Sequence, residues 1–324
     1  MKLIVQIPCF NEETTLARVI ADIPRNIDGI DLVELLVIDD GSFDQTVRVA
    51  RENGVEHILV NKKNIGLARS FQKGMVAALK AEADIIVNTD GDNQYAGSDI
   101  AKLVQPIIKG EADIVVGDRR TSEVKHFSRT KKILQRIGSA LVRKLSGISI
   151  PDAVSGFRAL SREAAIRINI VSSFSYTIEM LIQAGKRGMC VVSVPVKVND
   201  ATRESRLFQS VPEFLIRSAG TMVRVYSMYK PLKVFFLIGT FFTLVGFLPI
   251  VRFLFLYFSD DGAGHIQSLV LGGAFLLMGF VAYMIGLVTD LIASNRVLLE
   301  MTLERVKRLE LSESRTLNEN DMDK

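Results

Sequence analysis

The sequence predicts an α/β protein whose sheet is mainly parallel, followed by two membrane-spanning helices. Short apolar strands alternate with helical segments over roughly the first 120 residues. This alternation is typical of parallel βαβ units with right-handed crossovers and helices on both faces of the sheet. The mean hydropathy of +0.25 is high for a soluble protein. Residues 234–251 and 266–289 carry no charge, and stretches of about 18 or more apolar residues are long enough to cross a bilayer as helices.

Nine elements are predicted in the first part of the chain. Aliphatic runs indicate strands at 2–8, 33–41, 56–63, 83–92 and 112–120, and the segments between them indicate helices at 12–26, 43–54, 66–79 and 98–110. In the first helix, Leu16, Val19 and Ile20 share one face. Gly54 is expected to end the second helix, and Ser98 is expected to cap the start of the fourth.

The remainder of the chain has a mixed pattern. We expect a basic helix at 129–147, a strand at 190–198, an amphipathic helix at 208–230 and a polar, disordered end from Ser312. Since the amphipathic helix precedes a span, a position in the membrane interface is favoured, and an ordinary helix packed on the first domain is the alternative. The expected domains are 1–205, 206–232, 233–295, with spans at about 233–256 and 266–292, and 296–324.

The distribution of charge predicts the topology. Basic residues precede the first span and follow the second, and the connection between the spans is short and acidic. By the positive-inside bias, both ends are cytoplasmic. The amino-terminal apolar run ends at Pro8 and is too short for a signal peptide. We therefore expect a multi-pass integral protein of the cell's inner or plasma membrane, with its first domain in the cytoplasm.

The net charge of +4 and the pI of about 9.0 indicate an anionic partner. Much of the basic surplus lies between Arg119 and Arg224, before the spans, which suits anionic lipid or phosphate. No nucleic-acid-binding module is recognisable, so no nucleic-acid partner is expected. The two cysteines, Cys9 and Cys190, are expected to be small, reduced core residues.

Polar residues follow four of the predicted strands directly. In parallel sheets ligands bind at the carboxyl ends of strands, which marks Pro8–Glu12, Asp39–Ser42, Asp90–Asp92 and Gly117–Arg120. Carboxylates at Asp39 and Asp40 can accept hydrogen bonds from a base or ribose, and Arg119 and Arg120 can hold phosphate. The set as a whole favours a binding site at this edge.

Asp90 and Asp92 lie one residue apart at the end of an apolar strand. Two carboxylates in such a position repel each other unless a positive group lies between them. Hard divalent cations take oxygen ligands, often a few carboxylates together with substrate phosphates. The pair therefore predicts a metal that bridges a diphosphate, and a solvated loop with capping aspartates is the alternative.

Five motifs together resemble the family 2 glycosyltransferases of the GT-A type. They are "IPCFNEE", "VIDDGSFDQT", "NIGLARSFQKG", "NTDGDNQY" and "VVGDRR". "DAVSGFR", the basic segment after Pro195 and the two spans make the chain similar to the polyprenyl-phosphate sugar transferases, such as dolichyl-phosphate mannose synthases and bacterial undecaprenyl-phosphate glucosyltransferases. The resemblance implies a GT-A domain with a mixed, mainly parallel sheet at 1–205.

The resemblance also implies roles for individual residues. The nucleotide sugar would be bound by Pro8, Phe10, Asn11, Glu12, Asp39, Asp40, Asn64, Gly66, Asp90, Gly91 and Asp92. Mg²⁺ or Mn²⁺ would be held by Asp90, Asp92 and Gln94, and the acceptor phosphate by Arg119, Arg158, Arg203 and Arg206. The catalytic group would comprise Asp92, Asp152, Arg119 and Arg203.

The implied reaction moves a hexose from a nucleotide-diphosphate sugar to polyprenyl phosphate with inversion. A lipid phosphate is already anionic near neutral pH and needs little help from a base, so His57, His126 and His265, which lie outside the motifs, are expected to be structural. Asp152 is expected to orient the acceptor or to act as base, and Arg158 is alternatively its structural partner. A UDP-hexose such as UDP-glucose is preferred as donor, with GDP-mannose as the alternative.

Two other functions are weighed against this one. A processive polysaccharide synthase of the same superfamily usually has more spans and a Q-x-x-R-W motif, and this chain contains no Trp. A non-catalytic membrane scaffold would not need Asp90, Asp92, Arg119 and Arg203 intact. Finally, glycines in the spans allow close helix approach, and a homo-oligomer is expected from Gly239, Gly246, Gly272, Gly273, Gly279 and Gly286.

Overall fold

The computed structural model describes residues 1–120, 139–140, 142–144, 146–170, 176–199, 230–259 and 266–322, with side chains as far as residue 313. The chain forms two compact units: one comprises Met1–Ala219 with Glu304–Lys324, and the other comprises Gly220–Leu303. Most of the predicted basic helix at 129–147, and nearly all of the predicted amphipathic helix at 208–230, lie outside the described residues.

A seven-stranded sheet organises the first unit. Its strands are β1 (Lys2–Cys9), β2 (Leu32–Asp39), β3 (His57–Val60), β4 (Ile85–Asn88), β5 (Ile114–Asp118), β6 (Arg158–Ser161) and β7 (Val191–Pro195). They lie in the order β3-β2-β1-β4-β6-β5-β7. The helices of this unit are α1 (Leu16–Asp22), α2 (Thr46–Glu52), α3 (Leu67–Lys80), α4 (Ile100–Ile108), α5 (Arg162–Arg167) and α6 (Tyr176–Lys186).

The sheet is parallel except for β6, which confirms the mixed, mainly parallel fold that was predicted. Strand β6 lies between β4 and β5 and is antiparallel to both, with Arg158 opposite Asn88 and Val116. The carboxyl ends of the other six strands therefore share one edge of the sheet. Because β6 runs the other way, the loop that precedes it, residues 152–157, reaches that same edge.

Two apolar layers cover the two faces of the sheet. Alternate residues of a strand point to opposite faces, so Val5 contributes to one layer and Ile4 to the other. Helices α1 and α4 close the first layer, and α3, α5 and α6 close the second. The core strands are fully buried in this three-layer arrangement, as their nearly uninterrupted apolar sequences predict.

Two helix starts differ from the prediction. Helix α1 begins at Leu16 rather than at residue 12, because Asn11 has a left-handed backbone with φ 55° and the Glu12 N–H donates to Thr46 Oγ1 at 2.9 Å. The expected Ser98 cap is wrong. Residues Gly97–Asp99 form a 3₁₀ turn before α4, and the Ser98 side chain makes no cap hydrogen bond there.

The second unit contains α7 (Pro231–Ser259) and the first part of α8 (Ile266–Met322). Both helices have the length and composition of a membrane-spanning helix. Glycines of the two helices meet: a Cβ added at Gly246 would lie 2.8 Å from the Gly272 carbonyl oxygen. Gly239, Gly279 and Gly286 are similarly close to the other helix, whereas Gly273 has open space beside it. Five of the six glycines thus serve contacts within the chain, and the oligomer stays a prediction.

Helix α8 continues through the region where disorder was predicted, to Met322. From Glu304 onward it belongs to the first unit. Glu304 forms an ion pair of 3.0 Å with Arg187, Arg308 contacts Glu163, and Lys307 Nζ donates to the Ile168 carbonyl at 3.1 Å. These contacts fix the polar residues of α8 on α5 and α6.

Candidate active site

The predicted strand-end residues do converge on one edge of the sheet. Loops that follow β1, β2, β4 and β5 lie there, together with the loop that precedes β6. Residues Arg203 and Arg206 lie outside the described residues, so their predicted roles rest on the sequence alone.

The loops after β1 and β2 are locked together by hydrogen bonds. The Asn11 N–H donates to Ser42 Oγ at 2.8 Å, and the Phe43 N–H donates to Asn11 Oδ1 at 3.1 Å. The Phe10 ring packs edge-on against Phe43 with centroids 5.9 Å apart. Asn11 tolerates its left-handed conformation because asparagine adopts this region more readily than most residues, and its side chain is fixed by the bond from Phe43 in the neighbouring loop. This corner forms a rigid wall beside Asp39.

Asp39 has one buried carboxylate oxygen that no described group satisfies. Its Oδ2 accepts a hydrogen bond from the Ser42 N–H at 3.2 Å. Its Oδ1 is buried and has no hydrogen-bond partner among the described residues. Since buried polar atoms are normally paired, this oxygen is suited to accept from an N–H or O–H of a bound molecule.

Asp40, in contrast, is occupied by the protein itself. Its carboxylate accepts from the Ile65 and Gly66 N–H groups, both at 2.9 Å, and from Asn61 Nδ2 at 3.0 Å. The side chain is buried. Asp40 therefore shapes the loop that leads into α3. The sequence analysis predicted that Asp40 contacts the nucleotide, and this prediction does not fit a carboxylate whose two oxygens both accept hydrogen bonds from the protein.

Asn64 and Gly66 belong to that loop. Asn64 is exposed, and its Oδ1 accepts from the Gly66 N–H at 3.1 Å. The loop packs on the turn after β2, where a Cβ at Gly41 would lie 2.7 Å from the Lys63 backbone. Gly41 also has a φ of 75°, so only glycine fits this turn without strain.

Asp90 carries an unfavourable charge. Although part of its surface is accessible, desolvation and the charges of Asp92 and Glu12 together raise the pKa of Asp90 to about 7, against the opposing charge of Arg119. Glu12 is buried close by, and Thr15 Oγ1 connects it to the Gly91 carbonyl through bonds of 3.0 and 2.7 Å. A cation would relieve this repulsion.

The loop after β4 makes a tight turn that is fixed by its own hydrogen bonds and by Asn199. The Gln94 N–H donates to Asp92 Oδ1 at 3.1 Å, and Asn93 adopts a φ of 58°. Asn199 holds the loop from outside: its N–H donates to the Gln94 carbonyl at 2.9 Å, and its Nδ2 donates to the Asn93 carbonyl at 3.0 Å. Sequence analysis did not identify Asn199.

The residues present fit a divalent cation that is completed by ligand oxygens. Within the described ranges, no group of three His, Cys, Asp or Glu side chains is placed to hold a metal. Mg²⁺ is commonly bound by one or two carboxylates together with substrate phosphates and water. Asp90 and Asp92 supply such a pair, and a cation beside them would favour the charged form of Asp90 against the desolvation and like charges that raise its pKa.

Arg119 and Asp152 form a buried, two-pronged ion pair. Arg119 Nε and Nη2 donate to the two Asp152 carboxylate oxygens at 2.6 and 2.9 Å. Asp152 is almost completely buried, and Arg119 is one-tenth exposed. Bidentate pairs of this kind fix the guanidinium plane. Asp152 therefore orients Arg119, its bidentate partner, and its charge also favours the protonated form of the buried Arg158.

The prediction that Arg158 binds the acceptor phosphate does not fit its surroundings. Its side chain is fully buried. The guanidinium donates to the carbonyl oxygens of Ala153, Ser155 and Thr177 at 2.7 to 2.8 Å. Burial lowers the pKa of Arg158 to about 10, and these carbonyls compensate its charge. Arg158 thus shapes the 152–157 loop from beneath.

Sequence analysis assigned no role to two further residues of the site, Asn88 and Tyr95. Asn88 Nδ2 donates to the Gly156 carbonyl and the Gly156 N–H donates to the Tyr95 hydroxyl, which connects β4 and the loop after it with the loop before β6. A signal for Asn88 was present, because an amide in an apolar strand needs a buried partner. The roles of Tyr95 and Gly156 depend on the position of β6.

The arrangement agrees with three comparisons with known proteins. The model of the Glycosyl transferase family 2 matches residues 4–168, about half of the chain. The UDP-N-acetylglucosamine–dolichyl-phosphate N-acetylglucosaminyltransferase of Methanococcus voltae is 29% identical over 59% of this chain and 83% of its own. Polyprenol monophosphomannose synthase of Mycolicibacterium smegmatis is 25% identical over 60% of this chain and 76% of its own.

One further relative matches nearly the whole chain, and one solved structure has a similar fold. Glycosyltransferase AglJ of Haloferax volcanii is 27% identical over 94% of this chain and 95% of its own. Glucosyl-3-phosphoglycerate synthase of Mycobacterium tuberculosis, crystallised with Mn²⁺, UDP and glucosyl-3-phosphoglycerate, is 24% identical, with a TM-score of 0.56 over 70% of this chain and 79% of its own. The latter similarity supports the GT-A fold. The chain belongs to glycosyl transferase family 2.

Proposed function

We propose that this glycosyltransferase moves a hexose from a nucleotide-diphosphate sugar to a polyprenyl phosphate, with inversion and with the help of Mg²⁺ or Mn²⁺. One observation carries the proposal. The 152–157 loop, which carries Asp152 of the Asp152–Arg119 pair, lies directly against the motif Asp90-Gly91-Asp92: a Cβ at Gly156 would lie 3.2 Å from both Asp90 carboxylate oxygens. A site for a diphosphate and a site for a second anion are thereby adjacent.

The chain's own groups suit the two anionic substrates. The free Oδ1 of Asp39 accepts a hydrogen bond from the base or ribose, beside the Phe10 and Asn11 wall. Arg119, held by Asp152, offers its remaining N–H groups to the acceptor phosphate. A guanidinium held in one orientation can bind the acceptor phosphate and align its oxygen for attack without reorganising during the reaction.

Asp90 and Asp92, with Gln94, would hold the divalent cation, which supplies charge neutralisation for the departing diphosphate. The acceptor is a phosphate monoester that is already anionic near neutral pH, so the attack does not require a strong base. Asp152 then has an orienting role, because both of its oxygens are engaged by Arg119. Arg203 and Arg206 are proposed as further acceptor-phosphate ligands from the sequence alone.

The names of the relatives agree on the class of acceptor but differ in the sugar that is transferred. One is named for dolichyl phosphate and UDP-N-acetylglucosamine, and another for polyprenol monophosphomannose. We propose a UDP-hexose donor, with GDP-mannose as the second candidate. Helices α7 and α8 are proposed as two membrane spans that bring the first unit, on the cytoplasmic side, to its lipid acceptor.

The proposal is tested by donor turnover. Purified full-length protein in detergent is incubated with polyprenyl phosphate, Mg²⁺ or Mn²⁺, and a panel of UDP- and GDP-sugars. Glycosyl lipid is the readout, and the anomeric configuration of the product is determined by NMR. We expect metal-dependent product from one donor, of inverted configuration, that is lost in Asp92→Asn.

Folded protein that forms no product from any donor, with several lipid chain lengths, would contradict the proposal and favour a non-catalytic module. Binding of UDP or GDP without turnover would support that second function specifically. Turnover that survives a chelator would contradict the metal requirement alone.

A further inference from the structure

Gly156 is held by hydrogen bonds on both sides of its peptide unit. Its N–H donates to the Tyr95 hydroxyl at 3.1 Å. Its carbonyl accepts from Asn88 Nδ2 at 2.9 Å. All three residues are buried. The three residues, here called the Gly156 bracket, connect the loop after β4 with the loop before β6.

Both partners of Gly156 are themselves fixed. Asn88 lies in β4, and its Oδ1 accepts from Gln6 Nε2 of β1 at 3.0 Å. The Tyr95 ring stacks on Phe157 with centroids 4.9 Å apart and an interplanar angle of 22°. A shift of Asn88 would break its bond to β1, and a shift of Tyr95 would break its stack on Phe157. The bracket therefore holds the Gly156 backbone in a fixed position.

That position determines what the Asp90 carboxylate contacts. A Cβ at residue 156 would lie 3.2 Å from both Asp90 oxygens and 3.0 Å from the Tyr176 hydroxyl. These distances are shorter than ordinary van der Waals contact for a methyl group. The backbone of Gly156 is therefore one wall of the space in which the Asp90 side chain lies.

We propose that Tyr95 and Asn88 are positioning residues that hold the Gly156 backbone against Asp90 and so fix the Asp90-Gly91-Asp92 motif relative to the 152–157 loop. The inference rests on the proposed function, in which Asp90 and Asp92 hold a divalent cation. Residues that orient metal-binding carboxylates contribute strongly to affinity, and their loss typically costs about 10- to 100-fold in metal affinity or activity.

The test removes one hydroxyl group. Tyr95→Phe deletes the acceptor for the Gly156 N–H but keeps the ring that stacks on Phe157. The matched control is Tyr283→Phe, which deletes a hydrogen bond of the same length, 3.1 Å, to Thr240 in the second unit. For both variants, Mn²⁺ affinity in the presence of UDP is measured by EPR titration, alongside thermal unfolding and the kcat of glycosyl-lipid formation.

We expect Tyr95→Phe to weaken Mn²⁺ binding and to lower kcat, each by about 10-fold or more, while Tyr283→Phe matches the wild type. A bracket that only stabilised the fold would lower the unfolding temperature and leave the Mn²⁺ affinity of the folded protein unchanged. That result would overturn the inference.

A second variant approaches the same contact from the other side. Gly156→Ala keeps both backbone hydrogen-bonding groups but introduces a methyl group 3.2 Å from the Asp90 oxygens. We expect it to weaken Mn²⁺ binding at least as much as Tyr95→Phe. If both variants fold and bind Mn²⁺ as tightly as the wild type does, the inference about the Gly156 bracket is overturned and the proposed function is not. If the wild-type protein itself binds no Mn²⁺ and forms no product, both are overturned.

Discussion

The loops after β2 and after β4 both begin with closely spaced carboxylates, but the two pairs lie in opposite environments. Asp40 accepts three hydrogen bonds from the loop at 61–66. Asp90 faces the Gly156 backbone and the charges of Asp92 and Glu12, which together with desolvation raise its pKa to about 7. The first carboxylate is compensated by hydrogen bonds from the protein, whereas the second faces like charges, for which we propose a cation as the compensating group. Similar motifs in sequence therefore have different roles, which the hydrogen-bond partners reveal.

The comparison is tested most strongly by activity. Asp90→Asn removes the charge that we propose holds the cation, and we expect kcat/KM for glycosyl-lipid formation to fall by about 10³-fold. Steady-state kinetics with radiolabelled donor measures this. A fall of less than tenfold in folded protein would contradict the difference between the two loops.

The pH dependence of stability gives the second test. As pH rises from about 4, the unfolded chain releases the Asp90 proton first, while the folded protein keeps it until its pKa of about 7. Stability of the metal-free protein should therefore decrease by a few kcal/mol across this window because of Asp90, and remain constant above it.

Asp90→Asn should remove that decrease and make the metal-free protein more stable than the wild type at pH 8. Denaturant unfolding in detergent at pH 5, 6.5 and 8 measures the difference between the two proteins. Identical pH profiles would show that the charge of Asp90 is already compensated.

Asp40→Asn should show the reverse pattern, a loss of stability. The two N–H groups of Ile65 and Gly66 donate to different oxygens of Asp40, so an amide keeps one acceptor and turns its NH2 group toward the other donor, and an unmade buried hydrogen bond costs about 1–3 kcal/mol. We expect the free energy of unfolding to fall by about 2 kcal/mol. Asp28→Asn, at an exposed position, is the control. An unchanged stability of Asp40→Asn would mean that the loop does not depend on Asp40.

The alternating pattern of the sequence was sufficient to predict the parallel strands and the edge at which the site lies. It did not predict β6, because four residues, Arg158–Ser161, carry too little periodicity and their pairing with β4 joins residues far apart in the chain. The same distance hid the Gly156 bracket, in which Tyr95 and Gly156 are 61 positions apart.

Local sequence motifs identified which residues lie near the site, but they did not predict correctly what each side chain contacts. Asp40 and Arg158 lie in motifs that are typical of the family, yet their side chains are satisfied by the surrounding backbone. Whether a charged side chain meets a substrate or a carbonyl group depends on the loops folded around it. Those loops are brought together by the sheet and cannot be derived from a single segment.

Asn199 offers the smallest and most specific test, since it holds the loop after β4 in the way that Asp40 holds the loop after β3. Its amide donates to the Asn93 carbonyl, next to the proposed metal ligand Gln94. Asn199→Asp directs a carboxylate oxygen at that carbonyl, but the Asn199 N–H bond to the Gln94 carbonyl at 2.9 Å remains.

We therefore expect a moderate effect, a rise of about 5- to 10-fold in the Mn²⁺ concentration that gives half-maximal activity, corresponding to the net worth of about one hydrogen bond. Asn53→Asp is the matched control, because it removes an amide-to-carbonyl bond of 2.8 Å at the exposed end of α2. A shift in Mn²⁺ dependence with Asn199→Asp and none with Asn53→Asp would show that the loop after β4 is held for its ligand. Equal behaviour of the two variants would mean that Asp92 and Gln94 keep their positions without this support.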